Sequence, residues 1–167
     1  EIGRLTKRCA EAHMQSVAAQ LDILPRYHGG TCESYMHWTP GRGNWLTADV
    51  TAILSPEIYR SFLFEYDQMV VDSLDTCWMH VPSGSAWMIP EFLRLSGLKG
   101  VQIVNDSPAG PEARQLIPLM KMVQEHHCLI LRKYEPEELF ELLPELSPAG
   151  LLVDTQCKSL TEAQVLV

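Results

Sequence analysis

The chain has 167 residues, 46% hydrophobic and 20% charged, with a net charge of −8. That composition suits a globular domain with a real core. Its cations form nothing longer than pairs such as Lys7-Arg8 and Arg132-Lys133, which excludes nucleic acid and anionic membrane surfaces as main partners.

No apolar run approaches the roughly 20 residues that span a bilayer, so no membrane segment is expected. Five cysteines (Cys9, Cys32, Cys77, Cys128 and Cys157), odd in number and without a CxxC pair, read as reduced thiols of a cytoplasmic protein. The chain opens on Glu1-Ile2-Gly3-Arg4 without an initiator methionine. The expectation is a chain that begins inside a longer protein.

Residues 1 to about 20 are rich in Ala, Gln, Glu, Lys and Arg, which favours helix. Asp22-Ile23-Leu24-Pro25-Arg26-Tyr27 reads as a short strand cut off by Pro25 and Gly29-Gly30. A long irregular segment is then expected from His28 to about Leu54, and loops of that length usually have a task. Ser55-Pro56-Glu57 is a helix start, with an N-cap serine, proline at the first helical position and an acid at the positive dipole end. Tyr59, Phe62, Leu63, Tyr66 and Val70 follow at helical spacing and should face the core.

Next come a strand at Thr76–His80, a helix centred on Pro90–Leu95 that stops at Gly97, and a strand at Gly100–Val104. After a loop, Leu116, Leu119, Met120 and Val123 mark a helix whose regular part starts near Pro118. Cys128–Leu131 is a strand. Glu135-Pro136-Glu137-Glu138 opens a helix carrying Leu139, Leu142 and Leu143, ending near Pro144. Gly150–Val153 is the last strand, and Ser159-Leu160-Thr161-Glu162 spells a capping box for a final helix.

Short apolar strands alternating with helices predict an α/β fold with a parallel sheet. Five strands suggest the C-terminal part of a (βα)8 barrel, which typically needs about 250 residues. A complete flavodoxin-like sheet is the alternative. The barrel reading covers residues 1–167 as one partial domain and leaves two sheet edges open.

Three groups of residues resemble one family: Trp38-x-Pro-Gly, Leu46-Thr-Ala-Asp49 and Leu54-Ser-Pro-Glu-Ile-Tyr59. His80, Gly97-Leu-Lys-Gly-Val-Gln102-Ile, Pro118–Glu125, Glu135-Pro-Glu-Glu-Leu and Gly150-Leu-Leu-Val continue the pattern. Together they are similar to the uroporphyrinogen decarboxylase superfamily, from about Leu21 onward. The resemblance implies a (βα)8 barrel whose N-terminal half precedes Glu1, with a small-molecule substrate.

The superfamily's two branches use different residues. The decarboxylase branch implies a hydroxyl after the aspartate in the turn before the Leu-Ser-Pro helix and a Gly-His after the last strand. Here these positions read Asp49-Val50 and Thr155-Gln156-Cys157, so neither the hydroxyl nor the histidine is present. The methyltransferase branch implies a zinc-activated thiol, a corrinoid or cobalamin methyl carrier and a corrinoid protein as partner. Its His-x-Cys pair and later cysteine correspond to His80 and Cys157 as metal ligands, with Pro82 where the middle cysteine would stand. Methyl transfer is the favoured expectation, decarboxylation of an acidic tetrapyrrole the runner-up, and a ligand-binding barrel without catalysis the third.

Strand-end position makes His80 the leading candidate. Asp106 and Asp154 follow strands and are candidates for substrate binding or for completing a metal site, since zinc accepts carboxylate oxygen. Asp49 and Trp38 are further substrate-binding candidates. Each has a structural alternative: a turn or cap for the aspartates, a buried apolar role for Cys157, and a loop anchor for Trp38.

Overall fold

The computed structural model describes residues 1–32 and 37–166, without the side chains of Glu162, Val165 and Leu166. A long helix α1 (Ile2–Ile23) leads into an antiparallel pair, β1 (Gly30–Cys32) and β2 (Trp38–Pro40). Five parallel strands follow: β3 (Gly43–Thr47), β4 (Thr76–Pro82), β5 (Leu98–Val104), β6 (Cys128–Arg132) and β7 (Leu151–Asp154). They lie in the sheet in sequential order, β3-β4-β5-β6-β7. Helices α2 (Pro56–Phe62), α3 (Phe64–Asp72), α4 (Ile89–Phe92), α5 (Ile117–Gln124) and α6 (Pro136–Leu142) make the crossovers. Helix α7 (Leu160–Leu166) follows β7.

The α/β class and the parallel sheet agree with the sequence. The order has no reversal of the kind that defines the flavodoxin-like topology, where the second strand lies outside the first.

Two parts of the sequence reading are corrected. Asp22 and Ile23 extend α1, and the strand expected at Asp22–Tyr27 is absent. The first strand of the parallel sheet is instead β3, inside the segment read as irregular. Gly43 and Asn44 at its start hide its signal, and its pairing with β4 supplies what local propensity lacks. The helix beginning at Pro56 also breaks at Leu63, whose φ is −124°. Tyr59 and Val70 are buried as expected, but the break turns Phe62 outward to 39% exposure.

Local signals elsewhere hold. The Ile58 N–H donates to the Ser55 side chain at 3.3 Å, a cap worth about 1 kcal/mol. Gly97 ends its segment at φ 87°, a backbone that favours glycine. Glu135 and Glu138 form a reciprocal capping box at the start of α6. The box expected at Ser159–Glu162 rests on a side chain outside the described residues.

The two faces of the sheet differ. Leu46, Cys77, Met79, Val81, Val101, Ile103, Leu129 and Leu131 join the helices in the main core. There Tyr59 meets Phe92 edge to face at 5.4 Å. Alternation along each strand sends the intervening residues to the opposite face. By register these are Trp45 and Trp78, then Thr47, His80, Gln102, Ile130 and Leu152, then Pro82, Val104, Arg132 and Asp154. Every strand therefore delivers its last residues to one carboxyl edge.

Candidate functional site at the carboxyl edge

β4 carries His80 three positions before its following turn, on the face away from the helices. The imidazole is 15% exposed. Its Nδ1 lies 2.6 Å from Gln102 Oε1 on β5, the residue directly across the register. Its Nε2 lies 3.8 Å from an Asp49 carboxylate oxygen. The Ala48 N–H donates to the His80 carbonyl at 2.9 Å, and this bond carries the turn after β3 to the histidine and places Asp49 beside it. The pairing of His80 with Asp49 was not foreseen from sequence, although both residues were.

Gln102 is the residue the sequence reading missed. It is fully buried, and its Nε2 has no hydrogen-bond partner among the described residues. The signal was present: a single amide inside the apolar run Val101–Val104 is out of place in a buried parallel strand.

The remaining candidates have other partners. Asp106 and Ser83 clasp each other across the ends of β4 and β5. Asp154 pairs with Arg132 Nε at 3.4 Å, joining the ends of β6 and β7. Both line an open cavity of about 410 Å³ with Asn105, Tyr134, Thr155 and Gln156. The Tyr134 hydroxyl is buried with no hydrogen-bond partner among the described residues, and burial, with the charges of Glu138 and Asp106, holds it above the usual phenol range. Thr155 donates to the Tyr134 carbonyl at 2.7 Å, which fixes the segment leading to Cys157.

Trp38 stands apart from this group. Its indole N–H donates to the Tyr27 carbonyl at 2.8 Å, and its ring lies on Gly30, so it pins the β1–β2 pair. His37, just before β2, packs against Trp45 at 5.8 Å. Burial lowers its pKa, opposed by the charge of Asp154. It is a second imidazole on the strand-end face, and it was also missed.

A structural zinc site gathers four His, Cys or carboxylate ligands, and a catalytic one at least three. Among the described residues no three such side chains come together. His80 lies on β4 and Cys157 follows β7, three strands away, about 14 Å at ordinary strand spacing. The described residues therefore do not assemble the zinc site that the resemblance implies, and His80 meets Gln102 and Asp49 instead. All five cysteines are free thiols, Cys157 half-buried. No helix among the described residues is long and apolar enough to cross a membrane.

No family model, curated protein or solved structure matches this chain.

Proposed function

We propose that this chain carries part of the catalytic face of a (βα)8-barrel enzyme related to the uroporphyrinogen decarboxylase superfamily. Its substrate is a small polar molecule held at the carboxyl edge of the sheet. The observation that carries this reading is the His80 imidazole, held at Nδ1 by Gln102 and facing the Asp49 carboxylate with Nε2. An imidazole oriented at one nitrogen and backed by a carboxylate at the other suits proton transfer at a fixed atom. Arg132, Asn105 and Thr155 supply polar groups for the substrate in the cavity at the ends of β5, β6 and β7, and the sequential parallel strand order supports the barrel.

Methyl transfer from a corrinoid-type carrier to a thiol is the second reading. One observation favours it: metal-bound histidines are commonly held at the nitrogen that does not bind metal, as His80 is by Gln102. That reading requires ligands beyond His80, because the described residues bring no others together.

The test uses purified protein, assayed for uroporphyrinogen decarboxylation and for methyl transfer from methylcobalamin to a thiol, with its zinc content measured. His80→Ala is expected to lower whichever turnover is found by about 10²-fold or more, the usual scale for a general acid–base residue. Asp49→Asn should lower it less. Turnover unchanged in His80→Ala overturns the proposal, and one zinc per chain lost in that variant selects methyl transfer.

A further inference from the structure

Gln102 sits in the middle of a parallel strand between Val101 and Ile103, both fully buried. A strand in that position is served by Val, Ile or Leu. A glutamine there must bury a carboxamide, and an unpaired donor costs about 1–3 kcal/mol. Among the described residues no partner reaches the Gln102 nitrogen, which meets that cost. Only the oxygen end is engaged, and its contact is His80 Nδ1 at 2.6 Å.

A carboxamide oxygen has lone pairs and no hydrogen, so it only accepts. At 2.6 Å from it, Nδ1 must carry the proton. In the neutral ring the lone pair then lies on Nε2, the nitrogen 3.8 Å from Asp49. A free imidazole leans the other way, toward the Nε2–H tautomer. A carboxylate in place of the amide would also hold the Nδ1 proton, but it would add a buried charge to the sheet interior. A glutamine holds the tautomer without one.

We propose that Gln102 is the positioning residue of this site: it fixes His80 as the Nδ1–H tautomer, so that Nε2 is the proton-accepting atom on the strand-end face. The inference deepens the assignment of His80 above and rests on it for its catalytic meaning. The tautomer itself is measurable without any substrate.

The experiment is long-range ¹H–¹⁵N correlation on the uniformly labelled protein, with the His80 signals assigned by their loss in His80→Asn. Wild-type protein is expected to show His80 Nδ1 protonated and Nε2 bare in the neutral ring. In Gln102→Met, of similar volume and without an acceptor oxygen, the population is expected to move by severalfold toward Nε2–H. A wild-type ring in the Nε2–H form overturns the proposal, as does a Gln102→Met protein with the wild-type tautomer. If Gln102→Met does not fold, the wild-type spectrum decides. A confirmed tautomer beside an inert His80→Ala substitution would leave the clamp standing and remove the catalytic reading.

Discussion

Asp106 and Ser83 hold each other reciprocally across two strand ends. The Asp106 N–H donates to Ser83 Oγ at 3.0 Å, and the Ser83 N–H donates to an Asp106 carboxylate oxygen at 3.2 Å. Ser83 is buried, and a methyl group at Gly110 would collide with its hydroxyl. Asp106 thus satisfies a buried backbone donor, a structural task at a position that the sequence offered as a substrate contact.

Asp106→Ala and Ser83→Ala are each expected to cost about 1–2 kcal/mol, the range for a buried bond with a partner left bare. Because the two residues share one clasp, the double variant should cost less than the sum of the two. Urea denaturation of all four proteins measures the coupling. Strict additivity would show that the two bonds act independently of each other.

Asp67 gives a pH signature. Burial raises its pKa from 3.8 to about 6, while the Tyr59 hydroxyl, donating at 2.8 Å, pulls the other way. Between those two values the folded chain binds the proton more tightly than the unfolded chain. The Asp67 contribution therefore favours folding most below about pH 4, declines as pH rises, and levels off above about pH 6. The full swing is on the order of 3 kcal/mol. Asp67→Asn should remove it, so that the variant gains on wild type as pH rises through this window. A stability difference independent of pH would contradict this.

On the strand-end face, Trp45 and Trp78 stack at 5.7 Å with 23° between their planes. Gly100 makes room for this, because a methyl group there would lie 2.6 Å from the Trp78 ring, as well as 2.5 Å from the Cys128 carbonyl oxygen on β6. Gly100→Ala is expected to push Trp78 off its partner and to cost about 1–3 kcal/mol as overpacking. Near-ultraviolet circular dichroism reports the loss of the tryptophan pair. An unchanged spectrum would mean that the stack does not depend on the glycine.

Among the described residues, β3 and β7 each pair on one side only. Bare edges of an apolar parallel sheet recruit other strands. The 167-residue chain alone is therefore expected to self-associate at micromolar concentration, as measured by sedimentation velocity. A monomer that unfolds cooperatively would show that these edges are protected within the chain.

Local chemistry made much of the fold legible. The Ser55 cap, Gly97 and the apolar runs that became β4 to β7 act within a few residues, so the α/β class, the helix starts and four sheet strands follow from sequence alone. His80 was also visible as a strand-end group, and Asp49 as an acid in the turn before the Pro56 helix. Other features depend on residues far apart in the chain. β3 is a strand because β4 lies beside it, and its own residues signal that weakly. Helix α1 extends through Ile23 where an isolated apolar stretch suggested a strand. Register across β4 and β5 alone decides that His80 meets Gln102, and the bond from Ala48 to the His80 carbonyl alone brings Asp49 to Nε2. Neighbouring strand ends likewise set Asp106 against Ser83 across β4 and β5 and Asp154 against Arg132 across β6 and β7, and the strand order leaves Cys157 three strands from the histidine. Sequence named the polar groups at the strand ends; the order and register of the strands chose their partners, because hydrogen bonds are decided by spatial neighbours.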